Sequence, residues 1–190
     1  MARSVGLTRE GVVAAAAALA DERGLHDLTL AQVAARLGVK LPSLYNHVDG
    51  LPGLRRAIAA LALGELTAAI TRAAVGRAGD EAVMAVAQAY RAYVLEHPGR
   101  YAAIVRAPDP ADEELGALSA GLVEVVAAVL APFGLADDDA IHAVRGLRSL
   151  VHGFATIEAA GGFGMALDRD ESFRRLVRVF VAGLRRPGGA

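Results

Sequence analysis

The chain has 190 residues, of which 54% are hydrophobic and 22% are charged, with a net charge of −1 and no cysteine. The lack of cysteine excludes disulfides and cysteine-ligated zinc, and the near-neutral charge excludes a globally basic nucleic-acid binder. No signal peptide is visible, and the longest apolar runs, such as Val12 to Ala20, are about half the roughly 20 residues that a membrane span needs. We therefore expect no membrane partner, no cofactor and no metal, and a reducing cytoplasm is compatible with the composition.

Turn-forming residues divide the chain into helical blocks, and no segment alternates with the period of two that is typical of a strand. The predicted helices cover about 9–23, 30–37, a short block with Pro42 in its first turn, and then 51–75, 80–97, 99–105, 111–130, 138–159 and 171–184. Alanine enrichment favours the same state, because alanine loses little entropy in a helix. We predict an all-α fold of about nine helices.

Charge is distributed unevenly along the chain. Residues 1–56 contain seven Lys and Arg and five Asp and Glu, whereas the remainder contains 13 basic and 16 acidic residues. A mildly basic head on an acidic body is typical of a protein whose two parts have different roles. This difference in net charge is small and indicates a function only when a sequence motif supports it.

The stretch from Thr29 to Val48 has the pattern of a helix-turn-helix. Thr29 is followed three residues later by Gln32, which predicts a capping box, and Gly38 predicts the end of that helix. A second short helix follows, and a longer helix precedes both, as in DNA-binding helix-turn-helix units. A plain helical hairpin with a polar surface fits the pattern equally well.

Helical phase assigns the residues of the second short helix to two faces. Leu44 and Val48 lie four residues apart and are predicted to face inward. The residues predicted to be accessible are Ser43, Asn46 and His47, with Lys40 before the helix and Tyr45 at its flank. Small polar side chains there can read base edges, and lysine, tyrosine and histidine can bind phosphates.

The segment LTLAQVAARLGVKLPSLYNHV resembles the DNA-binding domain of the TetR/AcrR family of one-component repressors. Its capped second helix, its LGV turn, its SLYNHV recognition helix and their distance from the N-terminus all match, and the resemblance covers roughly residues 8–60. It implies a three-helix DNA-binding domain over 1–50, followed by a helical ligand-binding and dimerisation domain over 51–190.

The resemblance also implies roles for single residues. The hydroxyl of Thr29, or its helix N-terminus, would bind a phosphate. The residues expected to hold the DNA backbone are Lys40, Tyr45 and His47, and those expected to face bases are Ser43 and Asn46, with Leu41 and Pro42 as contacts for thymine methyl groups. For Tyr45 the alternative is packing against the first helix.

One feature departs from the family. Many members have a lysine at the start of the fourth helix, where it contacts a phosphate, whereas this chain has DGLPGL. Arg55 and Arg56 follow one turn later and are not obvious replacements. We therefore expect a smaller phosphate footprint and a weaker salt dependence of binding.

The sequences LRSLVHGFATIEAAGGFG and DESFRRLV near the C-terminus resemble the domain of a TetR subgroup often called the WHG type, with Val151 in place of the tryptophan. Helical spacing assigns Val144, Leu147, Val151 and Phe154 to a core face. It assigns two stripes to a predicted four-helix dimer interface, namely Gly146, Ser149, Gly153 and Thr156, and Phe173, Leu176, Val177, Phe180 and Leu184. Packing within one chain is the alternative.

Regulators of this family usually sense a small molecule between the long helices of the body. Tyr90, Tyr93 and His97 are predicted to share one helix face, and the further candidates for a ligand site are Tyr101, Arg106, Arg145 and His152. Aromatic rings with polar tips suit such a site. Ordinary core packing is the alternative for each.

The function that follows is a ligand-responsive regulator, most simply a repressor that binds a palindromic double-stranded DNA operator as a homodimer and is released by a small-molecule effector. We expect it in the cytoplasm, associated with the nucleoid. An enzyme is disfavoured, because the five histidines are scattered and the chain has neither HExxH nor a phosphate-binding loop. The second alternative is an all-α dimeric interaction module without DNA binding.

Overall fold

A computed structural model describes residues 7–135 and 137–185, and all regular secondary structure in that part of the chain is helical. The α-helices are α1 (Arg9–Arg23), α2 (Leu30–Leu37), α3 (Gly50–Ala74), α4 (Gly79–Glu96), α5 (Pro98–Ala102), α6 (Glu113–Leu130), α7 (Asp137–Ala159) and α8 (Arg169–Leu184). Two 3₁₀ helices, Leu41–Asn46 and Ala131–Phe133, complete them. The prediction of an all-α fold is confirmed.

The helices form two compact units. Unit 1 contains the described residues up to 64 together with 97–115, and unit 2 contains 65–96 and the described residues from 116 onward. The chain therefore leaves unit 1 along α3, returns to it with α5, and leaves it again along α6. The unit that holds the helix-turn-helix thus takes in a segment, 97–115, that lies well beyond residue 50.

The ends of the first two helices are fixed by their caps. The Thr8 hydroxyl accepts a hydrogen bond from the Gly11 amide at 3.1 Å at the start of α1. At α2 the capping box forms as predicted, because Thr29 Oγ1 accepts from the Gln32 amide at 3.3 Å and Gln32 Oε1 accepts from the Thr29 amide at 2.8 Å. Gly38 then ends α2 in the left-handed conformation, at φ 66°.

The core cluster of unit 1 is aliphatic. Its fully buried residues include Val12, Ala16, Val33 and Leu44, and the core cluster is built from alanine, valine, leucine and isoleucine. Helix α5 packs on α1 at Gly99, where a Cβ atom would lie 2.1 Å from the carbonyl carbon of Ala20. Only glycine allows the two backbones to approach so closely.

Asp21 holds the same contact between α1 and α5 through polar bonds. Its Oδ1 accepts from the Arg100 amide at 2.8 Å, and its Oδ2 lies 3.0 Å from Arg100 Nε. His97 Nδ1 lies 3.4 Å from the same oxygen. The segment that returns to unit 1 is therefore anchored by both backbone fit and charge.

Unit 2 is organised around α4, α7 and α8, which pack on one another. Leu147, Val151 and Phe173 are buried at its centre, so the predicted core face of α7 is confirmed. The Arg91 side chain, 12% exposed, forms an ion pair at 2.7 Å with Glu158, 11% exposed.

Arg91 also stabilises its surroundings in unit 2. Its guanidinium lies 5.3 Å from the ring centre of Phe154 and 5.0 Å from that of Phe173, within cation–π range. A second ion pair, at 2.7 Å, joins it to Asp170. The hydrogen bond from Arg91 holds the pKa of the Asp170 carboxyl below its ordinary value.

Two helical segments, Gly50–Ala74 and Glu113–Phe133, are long and apolar enough to cross a membrane by length and composition. The sequence expectation considered only uninterrupted apolar runs and missed them, because glycine and single polar residues break the runs without lowering the mean hydropathy much. Helix α3 buries Leu54, Ile58, Leu66 and Ile70 within the protein.

Candidate nucleic-acid interface

The 3₁₀ helix Leu41–Asn46 stands on the core of unit 1. Leu44 and Val48 are buried in the same cluster as α1 and α2, as the sequence predicted. The Val39 amide donates to the Ala34 carbonyl at 3.0 Å, which fixes the turn that precedes the helix. The accessible side of the helix is thus held at a defined position relative to α2.

The 3₁₀ geometry changes which side chains lie in line. An α-helix with 3.6 residues per turn was expected here, but with the three residues per turn of a 3₁₀ helix the side chains at i and i+3 align. Pro42 therefore lies in line with Tyr45, and Ser43 with Asn46. Tyr45 is 57% exposed, which disfavours the alternative that it packs against α1. His47 ends the helix and is half-buried, so it is less accessible than its predicted phase implied.

The other predicted DNA-contacting residues lie at the surface of unit 1. Thr29, Lys40, Leu41 and Pro42 are exposed. The Thr29 oxygen accepts the capping bond, which leaves its hydroxyl proton available for a phosphate. Within residues 7–135 and 137–185, Lys40 takes part in no ion pair, so its ammonium group is likewise available.

Arg55 and Arg56, at the start of α3, bind groups inside unit 1. The Arg55 guanidinium donates to the carbonyls of Leu25 and His26 at 3.4 and 3.0 Å. Arg56 donates to both carboxylate oxygens of Asp112 at 2.6 Å and to Glu114 at 2.8 Å. The hydrogen bond from Arg56 holds the pKa of the Asp112 carboxyl below its ordinary value. Both arginines therefore have structural partners in place of a phosphate.

The residues of this surface lie within a segment that family comparison recognises. The family model of bacterial regulatory proteins of the tetR family matches residues 12–48, and that of the tetracyclin repressor-like C-terminal domain matches residues 83–180. The second match alone covers more than half of the chain. This chain belongs to the TetR family.

Two curated relatives are HTH-type transcriptional regulators. An uncharacterized HTH-type transcriptional regulator of Mycobacterium tuberculosis, Rv0681, is 39% identical over 98% of this chain and 85% of its own length. A second uncharacterized HTH-type transcriptional regulator, YobS of Bacillus subtilis, is 37% identical over 97% of this chain and 96% of its own length. The chain is thus a transcriptional regulator with a helix-turn-helix DNA-binding domain and not an enzyme, and the place of such regulators is the cytoplasm.

Solved structures show the same fold. A protein of unknown function from Rhodococcus sp. RHA1 superposes with a TM-score of 0.81 at 23% identity, over 97% of this chain and 98% of that one. A TetR variant from Acinetobacter baumannii AYE, solved in complex with minocycline, superposes with a TM-score of 0.71 at 24% identity, over 96% and 100% of the two chains.

The residues predicted for a TetR dimer interface fall into two groups. Phe173 and Val177 are fully buried within the chain, and a Cβ at Gly146 would lie 3.0 Å from the Phe180 ring. For Phe173 and Val177 the prediction is wrong, because periodicity identifies an apolar face but not the chain that covers it. Gly146 and Phe180 are half-buried, and their place in an interface stays a prediction. Of the others, Ser149 and Leu176 are exposed, and Gly153, Thr156 and Leu184 are partly buried.

The exposed apolar side chain that the sequence analysis missed on α8 is Val179, which is 70% exposed. It lies three residues after Leu176, on the same side of the helix. The spacing was available as a signal, but the stronger stripe through Phe173 and Val177 concealed it.

Of the residues predicted for a ligand site, His97 does not share a helix with Tyr90 and Tyr93. Helix α4 ends at Glu96, and His97 precedes Pro98, which opens α5 in unit 1. Tyr101 is buried in unit 1 and Arg106 is exposed there. In unit 2, Tyr90 and Tyr93 are buried, with the Tyr93 hydroxyl donating to Glu65 at 3.0 Å. Also in unit 2, Arg145 is exposed and His152 half-buried.

Proposed function

We propose that this TetR regulator is a homodimeric repressor that binds a near-palindromic operator and releases it when a small-molecule effector binds. The observation that carries the proposal is the exposure of Pro42, Tyr45 and Asn46, with the half-buried Ser43 in line with Asn46, on a 3₁₀ helix that the buried Leu44 anchors in the core. A short rigid helix with one buried side can enter the major groove without losing its place in the fold.

We assign one set of residues to the affinity for DNA and another to the preference for a DNA sequence. Lys40, Tyr45 and the hydroxyl of Thr29 contact phosphates, which positions the protein. Ser43 and Asn46 contact base edges, and Leu41 and Pro42 contact thymine methyl groups. Since Arg55 and Arg56 already have partners inside unit 1, neither adds to the phosphate contacts.

The DNA-binding proposal is tested by fluorescence anisotropy with labelled DNA from upstream of the chain's own gene. Tyr45→Ala is expected to weaken binding to specific and nonspecific DNA alike, by roughly tenfold. Asn46→Ala and Ser43→Ala are expected to change the preference among operator variants instead. Tyr45→Phe keeps the ring and loses the hydroxyl, so it separates stacking from phosphate bonding. Unchanged affinity for Tyr45→Ala would contradict the assignment.

The same titration addresses the second candidate function, an interaction module that has lost DNA binding. The internal engagement of Arg55 and Arg56 favours that candidate to some degree, because it removes two cations from the phosphate footprint. Phosphate contacts are strongest at low salt. If the wild-type protein binds no DNA at about 50 mM salt, the second candidate replaces the first.

The homodimer rests on the exposed side of α8, with Leu176 and Val179, and on the exposed Ser149 of α7. A substitution of Val179 by Arg is expected to convert dimers to monomers in sedimentation velocity. Val75→Arg is the matched control, because Val75 is also a valine that is 70% exposed. Equal behaviour of the two variants would exclude this surface from the interface.

A further inference from the structure

A cavity of about 280 Å³ opens in unit 2 beside the loop between α7 and α8. We call it the loop cavity; it is lined by Phe154, Gly162, Phe163, Gly164, Met165, Leu167, Arg169 and Ser172. None of these residues was among the predicted ligand-binding residues. All of them lie in unit 2, so the cavity does not depend on the DNA-binding residues of unit 1.

Aromatic rings form one side of the loop cavity, which we call its floor. The ring centres of Phe154 and Phe163 are 4.7 Å apart, and those of Phe154 and Phe173 are 5.1 Å apart, with tilted planes. Arg91 lies against Phe154 and Phe173 and is itself fixed by Glu158. A ligand that enters therefore meets a preformed apolar surface, which is typical of small-molecule sites.

The loop that lines the cavity begins with a sharp turn. Gly161 adopts a φ of 70°, and the Gly162 amide donates to the Ile157 carbonyl at 2.8 Å, so the chain turns sharply at the end of α7. A Cβ at Gly162 would lie 2.8 Å from Cγ2 of Ile157. The turn sets the position of Met165 and Leu167, which line the cavity while remaining 79% and 69% exposed.

One cation lies at the rim. The Arg169 guanidinium has Nε 4.0 Å from Glu158 Oε1, but Glu158 already accepts two hydrogen bonds of 2.7 Å from Arg91. Of the neighbouring acids, Asp170 is paired with Arg91, and Asp168 accepts from the amides of Asp170 and Glu171 as the cap of α8. The acids near Arg169 are thus held at shorter distances by other groups.

Apolar lining with a weakly paired arginine at the rim suits an amphiphilic anion. We propose that the loop cavity binds a small, largely apolar carboxylate, with its hydrocarbon part against Phe154 and Phe163 and its carboxylate at Arg169. Binding covers Met165 and Leu167, which accounts for two large apolar side chains that the folded chain leaves in water. A planar guanidinium matches a carboxylate geometrically.

The test uses the full-length protein and the fluorescent probe 8-anilinonaphthalene-1-sulfonate, an aromatic anion whose emission rises in apolar surroundings. We expect saturable binding of one probe per chain and displacement by decanoate at a lower concentration than by decanol. Arg169→Gln is expected to weaken the binding of decanoate by five- to tenfold and the binding of decanol by less than twofold. Leu167→Ala is expected to weaken the binding of decanoate and of decanol alike, by about threefold.

Two matched controls make the result specific. Arg178→Gln removes an arginine of the same helix, which is 63% exposed against 54% for Arg169 and lies 3.8 Å from an acid, Glu171. Val75→Ala removes an exposed apolar side chain outside the cavity. Both controls are expected to bind decanoate like the wild type.

Three outcomes would overturn the proposal. The first is no saturable probe binding at millimolar concentration, and the second is equal weakening by Arg169→Gln and Arg178→Gln. The third is a shift in the monomer–dimer equilibrium caused by Leu167→Ala without any change in decanoate affinity, which would assign the loop to a second copy of the chain. None of these outcomes bears on operator binding, which is measured separately.

Discussion

The two units of this regulator differ in how each is packed internally. Unit 1 brings backbones close by using small residues, as where α5 meets α1 at Gly99 and Ala20. Unit 2 instead packs aromatic rings around a largely buried cation, Arg91. The substitution expected to cost most stability is therefore at a glycine in unit 1 and at a buried charge in unit 2.

The largest effect is expected from Gly99→Ala in unit 1. The added Cβ would lie 2.1 Å from the backbone of Ala20, and backbone cannot yield as a side chain does, so we expect a loss of about 3 kcal/mol or more in the free energy of unfolding. Urea denaturation measures it. Gly64→Ala is the control, since a Cβ there meets nothing within 4 Å and alanine should stabilise α3 by up to about 1 kcal/mol. Similar effects of the two variants would refute the close approach.

The corresponding change in unit 2 is Arg91→Ala. It leaves the Glu158 carboxylate, 11% exposed, without its main partner, and we expect a loss of about 3 kcal/mol. Arg185→Ala removes a surface pair with Asp80, whose side chains are 60% and 49% exposed, and should cost at most about 1 kcal/mol. Denaturation curves that coincide for the two variants would show that the Arg91 cluster does not stabilise unit 2.

A smaller effect is expected at the start of α2, which precedes the 3₁₀ helix. Thr29→Ala removes one half of the capping box and should lower the free energy of unfolding by about 1 kcal/mol. Thr29→Ser keeps the hydroxyl and is expected to restore most of the stability. If both variants matched the wild type in thermal denaturation, the cap would not contribute to holding the DNA-binding surface.

The smallest effect is a pH dependence in unit 1. Because the pKa of Asp112 is lowered in the folded state from 3.8, the pair with Arg56 stabilises fully above that value and less as the pH falls through the folded-state pKa. Arg56→Gln should therefore reduce the loss of stability between pH 5 and pH 3 in urea denaturation. Arg77→Gln, which removes an exposed pair with Glu81, should leave that loss unchanged.

Short-range patterns in the sequence predicted much of the structure of the helix-turn-helix. The Thr29 and Gln32 capping box, the turn at Gly38 and the burial of Leu44 follow from spacing of three to four residues, and such spacing is set by the geometry of one helix turn. The 3₁₀ type of the helix Leu41–Asn46 was not predicted, because Pro42 fits the first turn of either helix type and the spacing of so short a segment does not distinguish them.

The sequence by itself determined the helical class, the caps and the identity of the accessible face near Tyr45, because each depends on neighbours within a few residues. Tertiary structure alone decided that Arg55 and Arg56 bind inside unit 1, that Phe173 and Val177 serve the core, and that Arg91 meets Glu158 across 67 residues of chain. The physical reason is that an apolar stripe or a charged residue in the sequence predicts that a partner is required, but it does not identify the distant residue that is the partner. Only the folded chain brings the two together.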